Sequence, residues 1–165
     1  MLANIVKENL IEKFIEIQNR MISAINQLDD DDLNWRPNFE SNSIANLVIH
    51  ISGNIHQRIE VGIEGKVDNR DREAEFSPNL VYNKEELIQI IQASFSKLID
   101  VISHLAPDDY LKSQKVRNNQ VTILDVVMQC ASLFSEHLGQ ILYIAKIKKN
   151  VTYISTSIPR KNHSN

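Results

Sequence analysis

Two histidines stand where their chemistry could matter. His137 lies in an apolar seam of Ile123, Val127, Cys130, Phe134, His137, Ile141 and Ile144, whose alternating spacings of four and three belong to a helix packed against others. His50 falls on a stripe of Leu47, His50, Asn54, Gln57 and Val61, beside the apolar stripe of Ile44, Val48, Ile51, Ile55 and Ile59. Helical bundles build sites by aiming such side chains inward, and neutral imidazole is a ligand for zinc, nickel and iron. The competing reading is a pair of core-side histidines hydrogen-bonded to their neighbours, because buried polar groups need partners with or without a metal. A catalytic zinc usually takes three protein ligands and a water. The residues at the right helical spacing from His137 are Leu133 and Ile141, and neither can ligate. Glu136 and Gln140 are near but offset around the helix. Cys130 shares the face but lies about 10 Å away along the axis, too far to share a metal, and reads as a small core residue. There is no Gly-rich phosphate loop, no HExxH pair and no CxxC pair.

The elements that must position these side chains are helical. Residues 2–28 carry apolar side chains at helical spacing, from Leu2 and Ile5 to Ile25 and Leu28. Asp29 to Asp32 end that pattern, either as a cation site or as a solvated loop whose acids cap the next turn. Leu33 to Ser43 is a connector in which Pro37 disfavours helix at Arg36 and Trp35 is expected to pack over one end. Ser41, Asn42 and Ser43 offer N-cap side chains for a second helix over about 44–63, in which Gly53 allows close approach of another backbone. His56, about 240° around that helix from His50, does not share its face. Glu64 to Tyr82 is the longest irregular stretch, open to reading as a lid or as an ordinary crossover. Asn83 and Glu86 make a capping-box start for a third helix to about Leu105, where His104 complements the helix dipole. Tyr110 to Val121 is extended, with Asn118 and Asn119 as a hairpin turn. Thr122 caps the fourth helix, and Lys146, Lys148 and Lys149 suit its last turn.

Four long patterns joined by connectors, with no strand-rich block, predict an all-α four-helix bundle with a long crossover between the second and third helices. The domain spans 1–150, and 151–165 is a polar tail containing His163. The whole is 165 residues, 42% hydrophobic and 24% charged, as expected of one soluble globular domain. A net charge of −3 argues against nucleic-acid binding, which normally needs a basic face. No apolar run approaches the ~20 residues of a membrane span. Lys7, Glu8, Glu12 and Lys13 break the N-terminal apolar pattern, so it is not expected to be a signal peptide. The lone Cys130 fits a reducing cytoplasm.

Five segments carry a family resemblance: NWRP at 34–37, NSIANLVIHISGN at 42–54, NRDREAEF at 69–76, EHLGQILYIAK at 136–146 and SIPR at 157–160. In order and over nearly the whole chain, they resemble the DinB-like superfamily, in a subgroup of small bacterial proteins with an H-x-G-Q-I segment and a Ser-Ile-Pro-Arg tail. The superfamily takes its name from damage-inducible proteins. The resemblance implies an up-down-down-up-like four-helix bundle, usually a homodimer, and a divalent-metal site (zinc, nickel or similar) built from one His on the second helix and an H-x-x-x-H pair on the fourth. Relatives include thiol-cofactor transferases such as mycothiol-dependent maleylpyruvate isomerase and bacillithiol S-transferase, in which the metal activates a low-molecular-weight thiol.

His50 matches the second-helix ligand and His137 the second member of the fourth-helix pair. Leu133 stands where the first member belongs. Three readings follow. The site is vestigial, leaving a non-catalytic, dimeric stress-response or ligand-binding protein. A replacement ligand comes from Asn54, His56, Gln140, Glu136 or the crossover. Or the two histidines hold a metal weakly with waters. In an enzyme of this type Asn54, Gln140 or Tyr143 would orient the substrate beside Leu133.

Overall fold

The computed structural model describes residues 2–158. Leu2–Ile25 forms α1, whose Leu10, Phe14, Ile17, Met21, Ala24 and Ile25 are buried along one face. The acids that follow do cap a turn: the Asp32 N–H donates to the Asp29 carboxylate (2.9 Å), starting the short helix α2, Asp30–Asn34. Helix α3, Ile44–Ile55, opens with a reciprocal capping box, in which the Asn46 N–H donates to Ser43 Oγ (3.1 Å) and the Ser43 N–H to Asn46 Oδ1 (3.2 Å). The pattern predicted to run on to residue 63 does continue, but as a wider π-helical turn over His56–Val61.

After the crossover, α4 spans Lys84–His104 behind the expected Asn83–Glu86 capping box. Tyr110 to Thr122 holds an antiparallel pair, β1 (Ser113–Val116) and β2 (Asn119–Thr122). The expected turn is one residue off: Arg117 and Asn118 make it, and Arg117 takes the left-handed conformation (φ 55°). The chain is thus mostly helical with one small hairpin rather than all-α. Helix α5, Ile123–Lys149, is capped by Thr122 as expected and buries every apolar member of the seam around His137.

Helix α1 packs against α4 and α5, and α3 packs against the same two. Consecutive long helices are therefore not all neighbours, as they would be in the simplest up-and-down arrangement. Phe134 of α5 joins the faces, with its ring centroid 6.1 Å from Phe14 of α1 and 5.9 Å from Phe95 of α4. Trp35 packs at one end under Lys148, whose ammonium lies 5.0 Å from the ring centroid. No helix among the described residues is long and apolar enough to cross a membrane. The SIPR segment extends past residue 158, and His163 lies outside the described residues.

Candidate functional site

The crossover, residues 62–83, builds one wall of the site. Its 3₁₀ turn, Ala74–Phe76, lies on α3 and turns Glu75 inward until only 4% of the residue is exposed. Two side chains fix it there. The Arg36 guanidinium donates to the carbonyls of Phe76 (3.1 Å) and Ser77 (2.7 Å), and to Asn46 Oδ1 (2.6 Å). The Asn46 amide donates to the Glu75 carbonyl (2.8 Å). Gly53 is what lets the carboxylate settle on the helix, since a Cβ there would run into the Glu75 carboxylate and the Arg70 guanidinium. Close approach at Gly53 was expected of a backbone; it is a side chain that comes in.

Glu75 is held from two sides. Arg70 Nε donates to Oε1 (2.6 Å) and Nη2 to Oε2 (2.8 Å), a bidentate charge-assisted pair with both side chains almost fully buried. His50 Nδ1 donates to Oε2 (2.8 Å), which leaves Nε2 as an acceptor, and the Asn54 amide donates to it (3.1 Å). Phe76 covers the imidazole at a centroid distance of 4.7 Å. Burial holds the His50 pKa below the ordinary value; the Glu75 carboxylate opposes that, and Arg70 and Arg72 reinforce it. The ring is neutral at pH 7.

His137 meets His50 edge-on, with ring centroids 5.1 Å apart, so the two helices do bring the histidines together. Neither His137 nitrogen has a hydrogen-bond partner among the described residues, although both are shielded from solvent. Burial first, and then the neighbouring His50, lower its pKa to about 4. Leu133 lies partly buried, lining a shallow cavity with Arg58, Gln129 and Glu136. Arg58 Nε reaches Asn54 Oδ1 (3.4 Å) and Nη1 donates to Gln129 Oε1 (3.0 Å), so a guanidinium stands near the place of the absent histidine.

The other sequence candidates fall elsewhere. His56 pairs with Glu60 (2.9 Å) on the π-helical turn. Gln140 and Tyr143 are exposed and line a separate groove with Ser41, Asn42 and Ile144; neither histidine belongs to its lining. Glu136 is exposed. Cys130 is fully buried and its thiol is pushed up to about 12 by burial, consistent with a core residue and not a nucleophile.

These donors do not fit a three-ligand metal centre. No three of His, Cys, Asp and Glu gather as a ligand set among the described residues. The one carboxylate at the site is committed to Arg70, and the free lone pair of His50 is covered by Asn54. Glu75, Arg70 and Arg58 were not singled out from the sequence. The available signal was the NRDREAEF segment, and its place over His50 depends on long-range bonds that no local pattern announces.

The helical arrangement is similar to that in the crystal structure of a DinB-like protein, YjoA, from Bacillus subtilis. The two share 16% identity at a TM-score of 0.69, covering 90% of this chain and 96% of that one. The fold is DinB-like. Within that class the chain belongs to the family described as a protein of unknown function, DUF1572, which it matches over residues 3–162. No curated protein matches it.

Proposed function

We propose that this chain is a DinB-type four-helix bundle whose histidine site has become a protein-satisfied hydrogen-bonding site, so that it acts as a metal-independent small-molecule-binding protein. The observation that carries this reading is the closed chain from Arg70 through Glu75 and His50 to Asn54, with Leu133 at the position of the third imidazole. A divalent cation would have to displace the Asn54 amide and tolerate Arg58 nearby, with two neutral ligands in place of three. His137, with two unpartnered nitrogens, is the group left to bond a ligand.

That same observation favours a second reading. Two imidazoles 5.1 Å apart, one of them unpartnered and the other with its Nδ1–H on a carboxylate, resemble a pair of metal ligands with an outer-shell acceptor. In that reading His50 and His137 would hold zinc, nickel or a similar ion, which would lower the pKa of a low-molecular-weight thiol and favour its thiolate.

Elemental analysis of protein purified without a His tag separates the two. The first reading expects far less than one equivalent of divalent metal per chain, and at least about a tenfold gain in zinc affinity on Leu133→His, which restores a third ligand. Stoichiometric metal in the wild type, lost on His137→Ala, would overturn it in favour of the second.

A further inference from the structure

The Arg58 guanidinium reaches Asn54 and Gln129, and the same residue lines a cleft between the π-helical turn of α3 and the β-hairpin. That cleft, about 260 Å³, is lined by Gln57, Arg58, Gly62, Gln114, Lys115 and Arg117 among others, and a further cavity of about 200 Å³ shares Arg58 and Arg117 with it. Three cations from two elements thus border one space in a chain whose net charge is −3. None of the three forms an ion pair among the described residues. The ion pairs found there take up other cations instead, Lys66, Arg70, Lys97 and Lys112 among them.

The cleft also holds acceptors. Gln114 is 6% exposed; its amide N–H donates to the Arg58 carbonyl (2.8 Å), while its Oε1 is buried without a partner among the described residues. Buried side-chain oxygens are normally satisfied, so this one calls for a donor from whatever occupies the cleft. Asp68, on the rim, accepts from the Gln57 amide (3.3 Å) and the Arg70 N–H (3.1 Å), and these bonds hold its carboxyl below the usual range and ionised. Gly62 makes room for the Gln114 side chain, because a Cβ there would collide with the Gln114 amide.

We infer that this cleft binds a small phosphomonoester that also carries hydroxyl groups. The phosphate meets Arg58, Lys115 and Arg117, in keeping with the preference of guanidinium for phosphate oxygens. The hydroxyls donate to Gln114 Oε1 and Asp68. The volume is small beside ligand pockets of ~300–1,000 Å³, which suits a triose or pentose phosphate better than a nucleotide. Through the Arg58–Asn54–His50 bonds the occupant would lie two side chains removed from the histidine pair, but the assignment does not rest on what that pair binds.

The test is calorimetric titration of chelator-treated full-length protein with glycerol 3-phosphate at low ionic strength, with inorganic phosphate as the comparison. One saturable site is expected, tighter for glycerol 3-phosphate than for phosphate. The double variant Lys115→Gln, Arg117→Asn should bind about a hundredfold more weakly, since each lost charge-assisted bond is worth about one decade of affinity. Both positions are exposed, and Asn accepts the left-handed backbone at 117, so the fold, checked by its thermal melt, is kept. No saturable binding of glycerol 3-phosphate, or equal binding by the double variant, overturns the assignment. Equal affinity for phosphate and glycerol 3-phosphate overturns its hydroxyl half.

Discussion

Glu75 decides the state of the site. It neutralises Arg70 and fixes the His50 tautomer, both from a segment without regular periodicity. A buried ion pair adds little net stability compared with a well-packed apolar pair, but removing one member leaves a charge with nothing to balance it. Glu75→Ala is therefore expected to destabilise the protein by about 3 kcal/mol in urea unfolding. The neighbouring Glu73, whose side chain makes a solvent-exposed pair with Arg72, should change stability by less than about 0.5 kcal/mol when replaced by Ala. Equal effects at the two positions would mean that the buried network is not what holds the crossover down.

Among the elements, those built on apolar periodicity were legible and those placed by long-range polar bonds were not. The seam from Ile123 to Ile144, the box at Asn83–Glu86 and the cap at Thr122 place α4 and α5 within a residue or two of where they lie, because spacing and caps are local properties. The change of α3 to a π-helical turn at His56 has no local cause in the sequence. The inward path of residues 70–76 depends on Arg36 and Asn46, which are distant in the chain. The histidine pairing was legible because both residues interrupt or flank apolar stripes; its covering by Glu75 and Asn54 was only half so, Asn54 being one turn from His50 while Glu75 is 25 residues away. Glycine substitutions test this fit of crossover to helix. Ala is favoured over Gly inside a helix by ~1 kcal/mol, and at Gly139 of α5 an added Cβ meets nothing within 4 Å. Gly139→Ala should accordingly stabilise by up to about 1 kcal/mol. At Gly53 the same methyl runs into Glu75 and Arg70, both held by hydrogen bonds, and overpacking of that kind costs about 1–3 kcal/mol. The same change in two helices is thus expected to move the melting temperature in opposite directions. A rise at both positions would show that the crossover yields freely.

At the scale of the whole molecule, segments that carried the family resemblance meet at one place. Arg36 comes from the first, Asn46, His50 and Asn54 from the second, Arg70, Glu75 and Phe76 from the third, and His137 from the fourth. Helices α3 and α5 and the crossover therefore share a junction that contains two neutral imidazoles, which ties global stability to pH. Burial lowers the pKa of His137 to about 4, and it lowers that of His50 as well, against an ordinary value of 6.5. Below pH 6.5 the unfolded chain takes up protons that the folded protein refuses. The contribution of these rings is thus complete above pH 6.5, falls as the pH drops, and is gone below the folded-state values. The carboxylates with lowered pKa, Glu60 and Asp68 among them, start from ordinary values of 4.5 and 3.8, so most of their loss comes at lower pH and the two windows can be told apart. In chelator-treated protein the urea midpoint should fall between about pH 7 and about pH 5, ahead of the carboxylate window. His137→Phe keeps an aromatic ring at the junction but cannot charge, so it should lose less over that interval, by about 1–2 kcal/mol once the partial solvent access of the ring is discounted. Parallel pH profiles for the two proteins would mean that His137 is protonated in the folded state, with a partner other than the His50 edge it now faces.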